Sequence, residues 1–133
     1  MPHSIKVKIY YEDTDAGGVV YYANYLRYME RARTEFLAEY GINVADHHEQ
    51  GNFFVVTHTD VMYKRPARLG EIINVTTEVE EMRNASMTIR NRILKDGILL
   101  VDAILTFACI DKEGKLKRLP DSFGALKPLQ KKQ

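Results

Sequence analysis

One amphipathic segment, from Asn24 to Gly41, constrains the fold most strongly, because it is the only long helical pattern in the chain. Asn24 is a suitable cap for a helix start, and Gly41 follows the last apolar position, where a C-terminal stop is expected. The segment predicts a helix about 25 Å long, at about 1.5 Å per residue. Its apolar side chains recur on one stripe at helical spacing: Leu26, Met29, Phe36, Leu37 and Tyr40.

Strand patterns lie on both sides of this helix. Residues 4–11 alternate between apolar and polar side chains, as a half-buried strand does. The pair Asp96-Gly97 is the strongest hairpin signal in the chain. The run that follows it is apolar at nearly every position, which predicts a strand buried on both faces. Counting that run, four strand patterns follow the helix: 53–64, 71–82, 87–93 and 98–110.

This order predicts an α+β fold in which one strand and one long helix precede a meander of about four strands. The sheet is expected to be mostly antiparallel, with the helix on one face. Residues 42–52 are interpreted as a polar loop with a helical turn, and residues 116–119 as a short final strand. One helix covers only part of a five-stranded sheet, so an edge strand and some apolar surface should remain. We therefore expect a homo-oligomer, most simply a two-fold dimer.

The bulk composition narrows the class of protein. The chain has 133 residues, with 19 basic and 18 acidic side chains and a net charge of +1. Residues 1–133 are expected to form a single domain, with a frayed tail from about Lys127. We expect neither nucleic acid binding nor integral membrane contact, because the charge is nearly balanced and no apolar run is long enough to span a bilayer. A single cysteine, Cys109, and no signal peptide favour a cytoplasmic location.

Asp15 is the strongest candidate for chemistry. An Asx turn or a solvated loop acid is the ordinary role of an aspartate near glycines. The functional alternative uses the same surroundings, because Gly17 and Gly18 let the backbone approach a ligand and the helix start near Asn24 offers unpaired N–H donors. Such donors can polarise a carbonyl while a carboxylate attacks it or activates a water molecule. Carbonyl hydrolysis without a metal, serine or cysteine is therefore chemically reasonable here.

Asp13 and two tyrosines are the other candidates in this segment. In an extended backbone Asp13 points the same way as Asp15, and a structural hydrogen bond that holds the loop is its first interpretation. Together with Glu12 the two aspartates are an alternative site for a divalent cation, but the further oxygen ligands of a calcium loop are lacking. We expect no metal and no cofactor. Tyr21 and Tyr22 either pack ordinarily or line a pocket.

Basic residues are the remaining candidates for ligand binding. Lys64 and Arg65 precede Pro66, and Arg83 lies near the next hairpin. Ordinary surface charge is their default interpretation, but a phosphorylated ligand would give some of them a role. The sequence contains none of the common hydrolase, redox or phosphate-loop motifs (H-E-x-x-H, C-x-x-C, P-loop, G-x-S-x-G).

The segment 10–37 resembles the opening of the hot-dog-fold acyl-CoA thioesterases. It reads Y-Y-E-D-T-D-A-G-G-V-V-Y-Y-A-N-Y-L-R-Y-M-E-R-A-R-T-E-F-L, with D-x-D-x-x-G-x-V before the helix and E-R-A-R-x-E on it. It is most similar to the YbgC type, which is associated with the Tol-Pal system and is related to 4-hydroxybenzoyl-CoA thioesterase. A looser resemblance runs through Y-K-R-P-A-R-L-G-E and the later strands, so it covers nearly the whole chain.

The resemblance implies a sheet wrapped around a central helix, assembled as a homodimer or homotetramer with active sites at subunit interfaces. It implies hydrolysis of an acyl-CoA thioester, with Asp15 as nucleophile or general base. Catalytic roles are also implied for Tyr22, whose backbone lies near the polarising helix start, and for Gly18 in the preceding turn. The residues expected to bind substrate are Asp13, Val20, Tyr21, Lys64, Arg65 and Arg83.

The chain departs from the YbgC pattern at one position. That pattern has histidine where this chain has Tyr22, whereas the 4-hydroxybenzoyl-CoA thioesterase pattern has tyrosine there. The expected reaction, hydrolysis of an acyl-CoA thioester, does not depend on this position. The identity of the acyl group is left open by the departure. An alternative function is a non-catalytic partner of acyl carrier protein or of a membrane assembly, which uses the same pocket. A dehydratase of this fold would need a histidine near the helix, and none is placed there.

Overall fold

The computed structural model describes residues 2–126. The tail predicted to be frayed from Lys127 lies outside this range. None of the described helices has the length and apolar character that a membrane crossing requires. The described chain contains two α-helices and five strands: β1 His3–Lys8, α1 Asn24–Glu39, α2 Val44–Glu49, β2 Phe53–Tyr63, β3 Ile72–Met82, β4 Ser86–Lys95 and β5 Ile98–Ile110.

The five strands form one antiparallel sheet in the order β1-β3-β4-β5-β2. The predicted α+β architecture is therefore confirmed. The predicted four-strand meander is wrong, because only β3, β4 and β5 follow one another and β2 pairs with β5 at the sheet edge. Pro66 cannot continue a strand ladder, and the segment after it pairs with Val19 and Val20 instead of turning directly into β3.

Helix α1 packs on the inner face of the sheet, but its buried stripe differs from the predicted one. Met29, Phe36 and Leu37 are buried as expected, whereas Leu26 and Tyr40 are 43% and 48% exposed. Tyrosines account for the difference, because their apolar rings can be buried although the residue carries a polar tip. The side chains that complete the buried stripe are Tyr25, Tyr28 and Ala32.

The start of α1 is near the predicted position, but the predicted cap is wrong. Ala23 occupies the cap position and makes no side-chain capping bond. Asn24 is the first helical residue, and its side-chain Nδ2 donates to the Asp13 carbonyl at 2.9 Å. The asparagine therefore ties the helix start to the acidic turn instead of satisfying the helix's own N–H groups.

Strand β5 is buried along most of its inner face but only at Leu100 and Ala108 on its outer face, so the prediction of burial on both faces is correct only in part. Val101, Ala103 and Leu105 point inward and are buried, while Asp102 and Thr106 on the other face are half-buried. The physical reason is that α1 covers a single face of the sheet. The Asp96-Gly97 turn before β5 is confirmed, with positive φ at both residues, as a tight hairpin requires.

Two strands are shorter than predicted, and the helical turn predicted within residues 42–52 is a short helix. Strand β1 ends at Lys8 rather than residue 11, because a 3-10 turn follows at Tyr11–Asp13. The predicted loop 42–52 contains α2, whose first turn is capped when the Asn43 side chain accepts from the Asp46 N–H. The predicted final strand is reduced to one bridge between Ile110 and Leu116.

Replacing Met29 by alanine tests the packing of α1 against the sheet. Met29 is 1% exposed, so Met29→Ala should lower the free energy of unfolding by about 2–5 kcal/mol through lost burial and the cavity left behind. Urea unfolding followed by circular dichroism measures the change. Glu35→Ala, at an exposed position of the same helix, should change it by less than about 0.5 kcal/mol. Equal effects of the two substitutions would contradict the packing described.

Candidate active site

A short hairpin over residues 14–20 carries Asp15. Its two arms meet at a bridge between Thr14 and Val20, and the Asp15 N–H donates to the Val19 carbonyl at 2.9 Å. The Gly18 N–H closes the turn by donating to the Asp15 carbonyl at 3.0 Å. Gly18 has φ +79°, the left-handed conformation that a three-residue hairpin loop requires at this point. The glycine therefore shapes the turn that presents Asp15.

The Asp15 carboxylate is exposed and makes one hydrogen bond in the part of the chain that the structure describes. Its Oδ1 atom accepts from the Gly17 N–H at 2.8 Å, which is the Asx turn expected as the ordinary role of this residue. The second carboxylate oxygen, Oδ2, has no partner among residues 2–126. The turn thus fixes the side chain while leaving one oxygen open to solvent.

Asp13 holds the loop together from a different position. It ends the 3-10 turn, and its Oδ2 atom accepts from the Tyr10 N–H at 2.8 Å. Its carbonyl accepts from the Tyr21 N–H at 3.0 Å and from the Asn24 side chain at 2.9 Å. The extended backbone assumed for Asp13 and Asp15 is therefore wrong. No group of three potential metal ligands occurs within residues 2–126.

Two backbone donors at the start of α1 have no acceptor in the described chain. The first N–H groups of the helix are used locally, since Asn24 donates to the Tyr21 carbonyl at 2.8 Å and Tyr25 to the Tyr22 carbonyl at 3.3 Å. The N–H groups of Tyr22 and Ala23 have no such bond to any residue from 2 to 126. A helix start also carries a partial positive charge, so these donors suit an anionic or carbonyl oxygen.

The segment that follows β2 forms the second wall of the site. The Val20 N–H donates to the Ala67 carbonyl at 2.9 Å, and the Leu69 N–H donates to the Gly18 carbonyl at 3.1 Å. On the other side of this segment the Ala67 N–H donates to the Tyr25 hydroxyl at 2.9 Å. Backbone bonds and one tyrosine thus join the Asp15 hairpin, residues 64–70 and the first turn of α1.

A groove of about 220 Å³ opens where these pieces meet. The Tyr22 and Tyr63 rings lie edge to face with centroids 6.1 Å apart, and the Tyr25 ring is 5.7 Å from that of Tyr63. Burial raises the pKa of both Tyr25 and Tyr63, so their hydroxyls stay protonated near neutral pH. The groove combines aromatic walls with two cations, and it is lined by Val20, Tyr22, Tyr25, Tyr63, Lys64, Arg65 and Pro66.

The structure brings most of the predicted site residues together. Val20, Tyr22, Lys64 and Arg65 line the groove, and the Tyr21 ring lies 5.0 Å from that of Tyr22. Tyr25 and Tyr63 were missed by the sequence reasoning. Tyr25 lies five residues after the end of the D-x-D-x-x-G-x-V motif, and Tyr63 directly precedes Lys64 and Arg65. Neither sequence pattern indicates that these two rings are in contact.

Arg83 lies apart from this groove. It follows β3 at the end of the sheet far from the Asp15 hairpin, and its Nε atom donates to Glu81 at 3.0 Å. There it lines a second concavity, of about 350 Å³, together with Arg118 and Asn84. Within one chain, Arg83 and the cations Lys64 and Arg65 therefore belong to two separate surfaces.

Comparison with known proteins shows the family to which the chain belongs. A model of the thioesterase-like superfamily matches residues 10–126. The chain belongs to this superfamily. The matched range contains the Asp15 hairpin, the helix start, and the groove.

Individual relatives within the superfamily match over most of their length. The chain is 41% identical over 117 residues to the acyl-CoA thioesterase YbgC of Haemophilus influenzae, covering 86% of this chain and 84% of that protein. It is 40% identical over 121 residues to the acyl-CoA thioester hydrolase YbgC of Escherichia coli O6:H1, covering 90% of each. A probable thioesterase from Bartonella henselae superimposes with a TM-score of 0.85 at 36% identity, covering 90% of this chain and all of that one. The predicted YbgC-type family and hot-dog fold are thereby confirmed.

Substitution at Gly18 tests the geometry of the turn that presents Asp15. A methyl group added at Gly18 or at Gly124 would meet no atom within 4 Å, but only Gly18 has a positive φ. Gly18→Ala should therefore lower the free energy of unfolding by roughly 1–2 kcal/mol, the cost of the left-handed conformation for alanine. Gly124→Ala is the matched control and should be close to neutral in the same urea titration. A neutral Gly18→Ala would contradict the turn described.

Proposed function

We propose that this chain is an acyl-CoA thioesterase that uses Asp15 as nucleophile or general base, without a metal. The observation that carries the proposal is an open Asp15 carboxylate oxygen on a hairpin that leads directly into a helix start, where the N–H groups of Tyr22 and Ala23 have no acceptor among residues 2–126. Val20, which ends the hairpin, and Tyr22 line the groove of about 220 Å³, whereas Asp15 is not one of its lining residues. The names of the relatives from Haemophilus influenzae and Escherichia coli support the same substrate class.

The proposed reaction begins when the thioester carbonyl oxygen accepts hydrogen bonds from the N–H groups of Tyr22 and Ala23. As general base, Asp15 takes a proton from water, and the resulting hydroxide adds to the carbonyl carbon. The two N–H groups stabilise the oxyanion of the tetrahedral intermediate. Its collapse breaks the C–S bond, and the CoA thiolate receives the proton from Asp15.

The nucleophilic alternative uses the same atoms. Asp15 Oδ2 then attacks the carbonyl carbon, the C–S bond breaks, and an acyl–aspartyl anhydride forms as CoA leaves. Water hydrolyses the anhydride and regenerates the carboxylate. In both routes the Tyr22 backbone supplies the polarising donor, so an imidazole at this position is not required.

Lys64 and Arg65 are proposed to bind the phosphates of CoA at the mouth of the groove. Both are exposed and line the same groove as Tyr22, and phosphate oxygens accept strong charge-assisted bonds from such groups. A role for Arg83 requires a second copy of the chain to bring its own Arg83 to this groove. Asp13 is proposed to shape the site, because its carboxylate and carbonyl already accept hydrogen bonds.

Asp15→Asn is the sharpest test of the catalytic assignment. Asparagine keeps an oxygen that can accept from the Gly17 N–H, so the Asx turn is preserved while the negative charge and basicity are lost. We expect kcat to fall about 100-fold or more, the usual contribution of a general base or a nucleophile. A panel of short, long and aromatic acyl-CoAs, with detection of the free thiol, measures the loss.

Glu12→Gln provides the matched control. It removes a carboxylate from the exposed turn that precedes Asp15, and activity should change less than about twofold. Full activity of Asp15→Asn would refute the assignment. If wild-type protein releases thiol from no member of the panel but captures acyl carrier protein, the non-catalytic alternative replaces the proposal.

The cytoplasmic location stays a prediction.

We further propose that the chain forms a homodimer through β2. This strand ends the sheet, so it has no neighbour on one side. Its apolar side chains Val56 and Met62 are 49% and 57% exposed, and Leu26 of α1 is 43% exposed beside it. An edge strand of 11 residues with apolar side chains has unpaired backbone N–H and C=O groups that can pair with another strand. A second copy can supply it, and two such dimers would form a tetramer.

Introducing a charge at Val56 tests this assembly. Val56→Asp places a carboxylate in the proposed interface and should shift the chain from dimer to monomer in sedimentation velocity measurements. Leu116→Asp is the matched control, because Leu116 is also apolar, at 69% exposure, but lies outside β2. A monomeric wild type, or a dimer that survives Val56→Asp, would contradict the proposal.

A further inference from the structure

The Tyr25 hydroxyl connects α1 to the wall of the proposed active site. It accepts a hydrogen bond from the Ala67 N–H at 2.9 Å, and both residues are buried, at 3% and 0% exposure. We propose that Tyr25 is a positioning residue, which holds the Asp15 hairpin in its working place through Ala67. The inference rests on the proposed function, since it assigns how the chain aligns the same carboxylate.

Two hydrogen bonds carry the alignment from Ala67 to Asp15. The Ala67 carbonyl accepts from the Val20 N–H, and the Val19 carbonyl accepts from the Asp15 N–H, both at 2.9 Å. The Val19 carbonyl and the Val20 N–H belong to one peptide unit, which is planar and rigid. Fixing the N–H side of this unit on Ala67 therefore fixes the direction of the carbonyl that holds Asp15.

The Tyr25 hydroxyl is the one acceptor that the Ala67 N–H has in the described chain. Pro66 has no N–H, so the Ala67 N–H is the next backbone donor after that of Arg65. A buried N–H without an acceptor is unfavourable. When the hydroxyl is lost, residues 66–69 are expected to move toward water and the hairpin with them.

The cations of the groove are anchored separately. The N–H groups of Lys64 and Arg65 both donate to the Leu100 carbonyl of β5, at 2.8 and 3.1 Å. These bonds lie on the other side of Pro66 and do not involve Tyr25. Loss of the Tyr25 hydroxyl should therefore disturb the reacting carboxylate while leaving the proposed CoA-binding residues in place.

Tyr25→Phe tests the proposal with the smallest change, because the ring and its contacts with Tyr28 and Tyr63 are kept. We expect kcat to fall about tenfold or more, since even small misplacement of a reacting group can cost up to about 100-fold. The KM for acyl-CoA should change less than about twofold, because Lys64 and Arg65 stay anchored.

Tyr28→Phe is the matched control. Tyr28 lies one turn further along α1, is 1% exposed, and has no contact with residues 64–70 that uses its hydroxyl. Burial raises the pKa of Tyr28 and the nearby Asp13 carboxylate raises it further, but the hydroxyl makes no hydrogen bond of regular geometry within residues 2–126. Its kcat should stay within about twofold of wild type, a smaller change than that expected for Tyr25→Phe.

Amide hydrogen exchange by NMR gives a readout that does not depend on turnover. In Tyr25→Phe the amides of Ala67 and Val20 should exchange faster than in wild type, whereas those of Lys64 and Arg65 should not change. Unchanged exchange at Ala67 and Val20, an unchanged kcat, or a raised KM at constant kcat would each overturn the positioning role. If the wild type has no thioesterase activity, the proposed function is refuted. The exchange rates of the Ala67 and Val20 amides then test only whether the Tyr25 hydroxyl holds the Asp15 hairpin through Ala67.

Discussion

Burial of one face of α1 against a single sheet is the constraint on which the rest of this structure depends. Met29 and Ala32 are at most 1% exposed and lie in one core cluster with Val75 and Val101 of the sheet. Because residues 2–126 contain one long helix, only the inner face of the sheet is covered by it. The outer face carries polar pairs instead, such as Arg90 with Asp102 at 2.8 Å.

The position of α1 also decides where chemistry can occur. Its first turn is tied to the acidic turn through Asn24 and Asp13, and to the segment after β2 through Tyr25 and Ala67. Short loops that are fastened to a packed helix and sheet can hold reacting groups precisely enough for catalysis. The proposed site lies at this junction, where the Asp15 hairpin meets the helix start.

Local patterns predicted those parts of the structure that depend on nearby residues. Alternating side chains predicted the strands, Asp96-Gly97 predicted its hairpin, and an aspartate near glycines indicated the Asx turn as one interpretation of Asp15. The predictions failed where distant segments decide. The pairing of β2 with β5 could not be seen, because strand order depends on which edges meet after the chain crosses the sheet. The contact between Tyr25 and Tyr63 was not predicted for the same reason, because one ring lies on α1 and the other at the end of β2, and tertiary packing brings them together.

The amino-acid sequence by itself determined the element types, the turn around Asp15 and the family, because each of these is written in consecutive residues. Only the tertiary structure decided that Lys64 and Arg65 share a groove with Tyr22 while Arg83 does not. It also decided that β2 is left as the exposed edge and that Tyr25 is the partner of Ala67. These relations join residues about forty positions apart or more, and they are set by the packing of α1 on the sheet rather than by any local propensity.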